Sequence, residues 1–275
     1  MTSAVRDRVR ALLERVRGIA FDMDGVLYRG EQPLPAAAEL VAELEKRGIG
    51  FVMVTNNATK TPEEYAAKLA RMGMTVPAER IVTSAIATRD WMRQRYEPGT
   101  TVYVLGMAAL QQAIYDGGYF VPTGRDAQVV VNGADFTLTY EKLKIATLAI
   151  RAGADWIATN ADRTFPSEEG LIPGSGAIVA ALQAATDRAP IVIGKPEPAM
   201  VLRAADLLGV PPDQLLVVGD RLDTDILAGQ RAGSLTALVL TGVSTLTDVR
   251  ASAVQPDIVL DDLHVLLEAV RCGGA

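Results

Sequence analysis

A single cysteine and a single histidine occur among the 275 residues. Cys/His zinc sites, which need three or four such ligands, are therefore excluded. A Cys–His or Ser–His catalytic pair would have to rest on His264 alone. His264 and Cys272 both fall in the last twelve residues, in what reads as a closing helix and tail. One cysteine forms no intrachain disulfide, which fits a reducing compartment. No uncharged apolar run approaches the ~18 residues a membrane span requires. A basic block is also missing: Lys and Arg number 27 against 33 Asp and Glu, a net charge of −6, which disfavours nucleic acid as a partner. Met1–Arg17 carries five arginines but also Asp7 and Glu14, and it lacks the apolar stretch of a secretory signal. Val5, Val9, Leu12 and Val16 recur there at helical spacing, which predicts an amphipathic helix packed on the body. The expected location is the cytoplasm, with neither membrane nor nucleic acid as partner.

What is present is an ordinary globular composition, 49% hydrophobic, enough to bury a sizeable core. The length exceeds one typical domain. Short apolar runs alternate with helical patterns: Ile19–Phe21, Gly50–Val54, Thr101–Leu105, Gln128–Val131, Trp156–Ala158, Ile191–Ile193, Leu215–Val218 and Ala237–Leu240. Their unbroken polarity marks strands covered on both faces. Pro35 and Gly48 read as the start and stop of one helix, and Thr61 with Glu64 as a capping box. Thr139, Pro198 and Thr224 open others. This rhythm predicts an α/β fold, a doubly wound and mainly parallel sheet.

In such sheets ligands collect at the carboxyl ends of the strands. Asp22-Met23-Asp24-Gly25 comes after the first apolar run and Thr55-Asn56-Asn57 after the second. Gly194-Lys195-Pro196 and Gly219-Asp220, with Asp223, Thr224 and Asp225, come after two later ones. Singly, each is an ordinary turn, cap or solvated lysine. Together, each directly after a strand, they suit a phosphate monoester. Its roughly two negative charges must be offset before a carboxylate can attack. A hard divalent ion on Asp22 and Asp220 would do so, as magnesium commonly uses one or two carboxylates with phosphate oxygens and water. Lys195 adds positive charge, and Thr55 and Asn56 can donate to phosphoryl oxygens. Asp22 is then the candidate nucleophile, forming an aspartyl-phosphate, and Asp24 the candidate general acid and base.

These elements resemble the four motifs of the haloacid-dehalogenase superfamily. The stretches Phe21–Leu27, Thr55–Asn57, Thr159–Asp162 with Pro173–Ala177, Gly194–Pro198 and Gly219–Gly229 are similar to one branch of it. That branch contains NagD-type nucleotide phosphatases, 4-nitrophenylphosphatases, phosphoglycolate phosphatases and pyridoxal phosphatases. The resemblance implies a magnesium-dependent phosphatase of small soluble phosphate esters. Asp22 matches the phosphorylated nucleophile and Asp24 the general acid/base. Magnesium would be held by the Asp22 side chain, the Asp24 carbonyl and Asp220, with Asp225 behind the metal-bound water. Thr55, Asn56 and Lys195 match the phosphate-holding positions. The dehalogenases lack the second acid, so Asp24 favours phosphoryl chemistry.

The branch inserts an α/β cap between the second and third motifs. The expected division is a Rossmann-like core of residues 1–85 and 190–275 with a cap of residues 86–189. The loop Asn160–Gly176 resembles the branch's substrate-facing loop, with Asn160 and Asp162 at its recurring polar positions and Arg163 placed for a second anionic group. Pyridoxal phosphatases tend to carry a histidine there, and this loop has none. Sugar phosphates, nucleoside monophosphates and phosphoglycolate all stay open as substrates, and so does a homodimer. Alternatives are a receiver-type module phosphorylated on Asp22, and phosphoryl transfer to an acceptor other than water.

Overall fold

The computed structural model describes residues 3–272 apart from position 168, with side chains from position 6. The chain divides into two compact units. One comprises Met1–Thr55, Pro62–Val82 and Lys195–Ala275, the other Asn56–Thr61 and Thr83–Gly194.

The first unit is built on a six-stranded sheet. Its strands run Ile258–Leu260, Leu235–Val239, Leu215–Gly219, Gly18–Phe21, Gly50–Thr55 and Ile81–Thr83 across the sheet. The Gly18–Phe21 strand pairs in parallel with both neighbours, Phe21 lying opposite Val218 on one side and Met53 on the other. The runs GIAF, LLVVG and LTALV are buried throughout, as strands covered by helices on both faces must be. Leu40, Val41 and Leu44 turn one face of the Ala37–Arg47 helix into this core, alongside Phe21, Phe51 and Leu69. That helix stops at Gly48, in the left-handed region at φ 68°, where the N–H groups of Gly48 and Ile49 return to Glu45 and Leu44.

Helix starts depart from the sequence reading in two places. Pro35 does not open its helix: Ala36 sits between at φ 64°, and the helix begins at Ala37. Thr224 opens no helix either, because it is buried inside a π-helical turn over Leu222–Ile226. The amino-terminal helix is Ser3–Leu13, with Val9, Leu13 and Val16 buried and Arg6 3.2 Å from Glu268. Within the helix the buried seam thus passes through Val9 and Leu13, with Leu12 half-buried and Val16 beyond the helix end, while the Val5 side chain lies outside the described residues.

The second unit carries a five-stranded sheet in the order Ile191–Val192, Asp155–Ala158, Val129–Asn132, Thr101–Leu105, Val121–Pro122. Its pairings are parallel. The strand directly before Lys195 therefore belongs to this sheet, through the Ile191–Ile157 and Val192–Ala158 pairs. The Tyr140–Arg151 helix is capped by Thr139, whose hydroxyl accepts the Lys142 N–H at 3.3 Å. At the core, buried Asn132 accepts the Trp156 indole N–H at 2.8 Å. An antiparallel hairpin, Thr164–Ser167 with Gly170–Pro173, precedes the Ser175–Thr186 helix. Among the described residues, no helix is long and apolar enough to cross a membrane.

Candidate active site

Asp22 and Asp220 stand at the carboxyl ends of adjacent strands. The Asp22 N–H donates to the Val218 carbonyl at 2.8 Å, carrying the ladder one residue beyond Phe21. From the Gly18–Phe21 strand the sheet extends to both sides, so the two carboxylates sit at the switch point where open parallel sheets place ligands.

Lys195 reaches the same point. It is only 4% exposed, and its Nζ lies 2.5 Å from Asp22 Oδ1, 2.7 Å from Asp225 Oδ1 and 3.3 Å from the Val54 carbonyl. Asp225 is aimed there by the π-helical turn, in which the Arg221 carbonyl accepts from both Asp225 and Ile226. Such turns recur at functional sites. The other Asp225 oxygen accepts the N–H groups of Asp220 at 3.2 Å and Arg221 at 3.0 Å.

Oxygens of Asp22, Asp220 and Asp225 all lie within 4.8 Å of one another. Three carboxylates with one ammonium leave a formal charge of minus two, which a divalent cation would cancel. The Val243 N–H engages Asp220 Oδ2 at 2.7 Å. Hard, buried and oxygen-only, the set fits magnesium.

The electrostatics say the same. Burial raises the Asp22 carboxyl well above its usual range; Lys195 opposes this, while Asp225 and Asp220 reinforce it. Burial, with the charge of Asp225, pushes Asp220 up to about 7. Lys195 would be lowered by burial, but Asp22 and Asp225 reverse this and hold it above the ordinary lysine range. Asp24 is exposed. Surrounding protein raises its carboxyl, against the charge of Lys68 and the backbone N–H of Gly30.

Thr55 ends its strand and shares a hydrogen bond with the buried Tyr65 hydroxyl. Asn56, Asn160 and Asp162 lie together in the second unit. Arg163 is exposed, beside a cleft of about 660 Å³ lined by Ala161, Gly176, Ala180 and Gln183. His264 pairs with Asp262 at 3.0 Å and Cys272 is exposed; neither touches the carboxylate cluster.

The sequence reading missed the loop Thr241–Ser244. Its Gly242 passes so close to Asp220 that any Cβ would strike the carboxylate, and Ser244 binds the Asp220 carbonyl and the Leu222 N–H. Thr241 Oγ1 donates to the Gly25 carbonyl at 2.6 Å, and Gly25 itself needs φ 87° beside Asp220. The signal was available: Thr-Gly-Val-Ser comes directly after an apolar strand, as the other motifs do. Tyr65 and Lys68 left no such trace, being unexceptional members of the Pro62–Arg71 helix. Lys68 Nζ lies over the Tyr28 ring at 4.1 Å and 3.1 Å from Glu31.

The chain matches a haloacid dehalogenase-like hydrolase model over residues 19–119 and a HAD-hydrolase-like model over residues 192–266. It is 40% identical over 252 residues to an acid sugar phosphatase of Staphylococcus aureus, covering 92% of this chain and 97% of that one. The chain belongs to the haloacid-dehalogenase hydrolases, among the NagD-type phosphatases. Solved structures agree. The 4-nitrophenylphosphatase of Thermotoga maritima superposes with a TM-score of 0.88 at 36% identity, over 94% of this chain and 99% of that one. A glycerol phosphate phosphatase of Mycobacterium tuberculosis, in complex with calcium, gives 0.86 at 36% identity, over 93% and 76%. This phosphatase is a phosphoric monoester hydrolase of a family that uses a divalent metal. The receiver-type alternative is set aside by the hydrolase match in both parts of the chain.

Proposed function

We infer that this phosphatase hydrolyses small-molecule phosphate monoesters in two steps through an aspartyl-phosphate on Asp22, with magnesium as the cation. The supporting observation is the buried cluster itself: three carboxylates within 4.8 Å and one lysine bonded to two of them. The cation would be held by Asp22, Asp220 and the Asp24 carbonyl, and when bound it supplies positive charge that favours ionised Asp22 and offsets the phosphoryl oxygens.

In the first step an Asp22 oxygen attacks phosphorus, and the bond from phosphorus to the leaving oxygen breaks. Asp24, whose carboxyl is raised from its ordinary value, gives its proton to that oxygen. In the second step Asp24 takes a proton from water, and the water oxygen attacks phosphorus. The acyl-phosphate bond breaks, inorganic phosphate leaves and Asp22 is restored. Lys195, Thr55 and Asn56 hold the phosphoryl oxygens throughout. The unit comprising Thr83–Gly194 acts as the cap, shielding the phosphoryl centre and recognising the leaving group.

Sugar and polyol phosphates are the first substrates to test, given the acid sugar phosphatase and glycerol phosphate phosphatase among its relatives. Phosphate release from a panel of metabolite esters with magnesium, ranked by kcat/KM, identifies the class. Acid quench during turnover, followed by mass spectrometry, should find phosphate on Asp22. A phosphorylated residue elsewhere would overturn the assignment.

A further inference from the structure

The expected role for Asn160 and Asp162 is contact with the substrate, yet Asn160 Nδ2 and Asp162 Oδ2 are turned to Asn56. Asn160 is 5% exposed. Its Nδ2 donates to the Asn56 carbonyl at 2.8 Å and lies 3.4 Å from Thr159 Oγ1, while its Oδ1 accepts the Asp162 N–H at 3.1 Å. A buried carboxamide engaged at both ends has little left to offer a ligand. Asp162 completes the arrangement: its Oδ2 accepts from Asn56 Nδ2 at 3.1 Å. Ser84 Oγ makes a second bond to the Asn56 carbonyl at 2.5 Å.

Asn56 is thus held at two points, its backbone by Asn160 and Ser84 and its side chain by Asp162. The second hold decides chemistry. A carboxamide has a donating and an accepting end that differ little in shape, so sterics alone do not choose between them. A carboxylate accepts hydrogen bonds and repels the carbonyl oxygen, so Asp162 selects the orientation with Nδ2 towards itself.

We propose that Asn160 and Asp162 are positioning residues that orient Asn56 towards the phosphoryl group, and that they do not contact the leaving group. This rests on the reading of Asn56 as a phosphate-holding residue. The consequence is that the loop contributes to binding of every substrate equally, through the one part all of them share. Discrimination among leaving groups falls to other residues of that unit.

Inorganic phosphate separates the two roles because it has no leaving group. The experiment measures its inhibition constant, with kcat and KM for 4-nitrophenyl phosphate and for a sugar phosphate, in the intact protein with magnesium. Asp162→Ala should weaken phosphate about tenfold, the usual scale for losing a hydrogen bond to a charged group. It should raise both KM values by a similar factor. Asp162→Asn, whose Oδ1 can still accept from Asn56, should recover most of that loss. In an Asn56→Ala background, Asp162→Ala should add nothing further. Asp162→Leu repeats the comparison should the alanine variant fold poorly. Unchanged phosphate inhibition in the Asp162 variants, with KM altered for one ester only, would overturn the proposal and return the loop to leaving-group contact. Effects of Asp162→Ala and Asn56→Ala that simply add would overturn it too. If Asn56→Ala itself leaves phosphate inhibition unchanged, the phosphate-holding reading of Asn56 fails instead.

Discussion

Asp225 Oδ1 lies 2.7 Å from Lys195 Nζ, while its Oδ2 receives the backbone N–H groups of Asp220 and Arg221. One carboxylate therefore sets both the lysine and the chain at the next carboxylate. The carboxylate could not be replaced by an uncharged group of the same shape without a mismatch.

Asp225→Asn tests this. Asparagine has one accepting and one donating end, and both neighbours of Asp225 are donors. Whichever way the amide turns, its NH2 meets either the Lys195 ammonium or the Asp220 and Arg221 N–H groups. The misplaced donor should cost about 1–3 kcal/mol of stability, measured by denaturant unfolding. Lys195 loses its second anchor at the same time, so kcat should fall by about two orders of magnitude, the scale for one oriented group at a charge-stabilising site. Wild-type stability with wild-type kcat would contradict the arrangement.

Asp22→Asn removes the nucleophile with little change of shape. Turnover should fall by on the order of a thousandfold or more, and no phosphorylated intermediate should be trapped. The variant should still fold, because the Lys195 contact to Asp225 survives. Activity retained by a homogeneous preparation would place the nucleophile elsewhere.

The cluster also imposes a pH dependence. In the folded chain Asp220 titrates at about 7, whereas an unfolded aspartate does so near ~3.9. Between these values the folded state holds more protons, so its stability falls as pH rises through that window. Asp22, raised chiefly by burial, acts in the same sense. Asp135 acts oppositely, since bonds from Lys142 and Thr137 hold its carboxyl low, but its contribution is lost only below the ordinary aspartate range. Protein stripped with EDTA should therefore show a Tm that declines from about pH 5 to about pH 8, with magnesium restoring more at the upper end. Magnesium affinity should climb with pH up to neutrality, with proton release visible by calorimetry in buffers of different ionisation enthalpy. A metal-free Tm rising over that range would refute the account.

Much of the fold and the site was legible in sequence because parallel strands buried on both faces write themselves as unbroken apolar runs. The residues immediately after such a run stand at the ligand-binding edge of the sheet. Asp22, Thr55 and Asp220 are singled out in this way, and all three sit at strand ends of one sheet. Lys195 is singled out too, though its preceding strand Ile191–Val192 pairs in the other sheet, which periodicity has no means of showing. Short elements escaped for a simpler reason. Ile258–Leu260 and Ile81–Thr83 are three residues each, too brief for any period to register. The partners of Asn160 and Asp162 were hidden because side-chain direction depends on contacts across about a hundred positions, with Asn56 at the far end.

The loop after Leu235–Val239 supplies the last prediction. Gly242 carries no Cβ because the space is filled by the Asp220 carboxylate, whose Oδ2 accepts the Val243 N–H at 2.7 Å. Gly242→Ala must displace either the loop or the carboxylate. The loop is tied down by Thr241 to the Gly25 carbonyl and by Ser244 N–H to the Asp220 carbonyl, so the carboxylate should yield. Magnesium affinity should then drop about 10–100-fold, the range seen when groups behind a metal ligand are disturbed. Excess magnesium should restore much of the kcat, since Asp22, Asp24 and Lys195 are untouched. The outcome is read from activity titrated against magnesium. A loss of kcat that no magnesium concentration recovers would mean that the loop moved instead, taking the Gly25 turn and Asp24 with it.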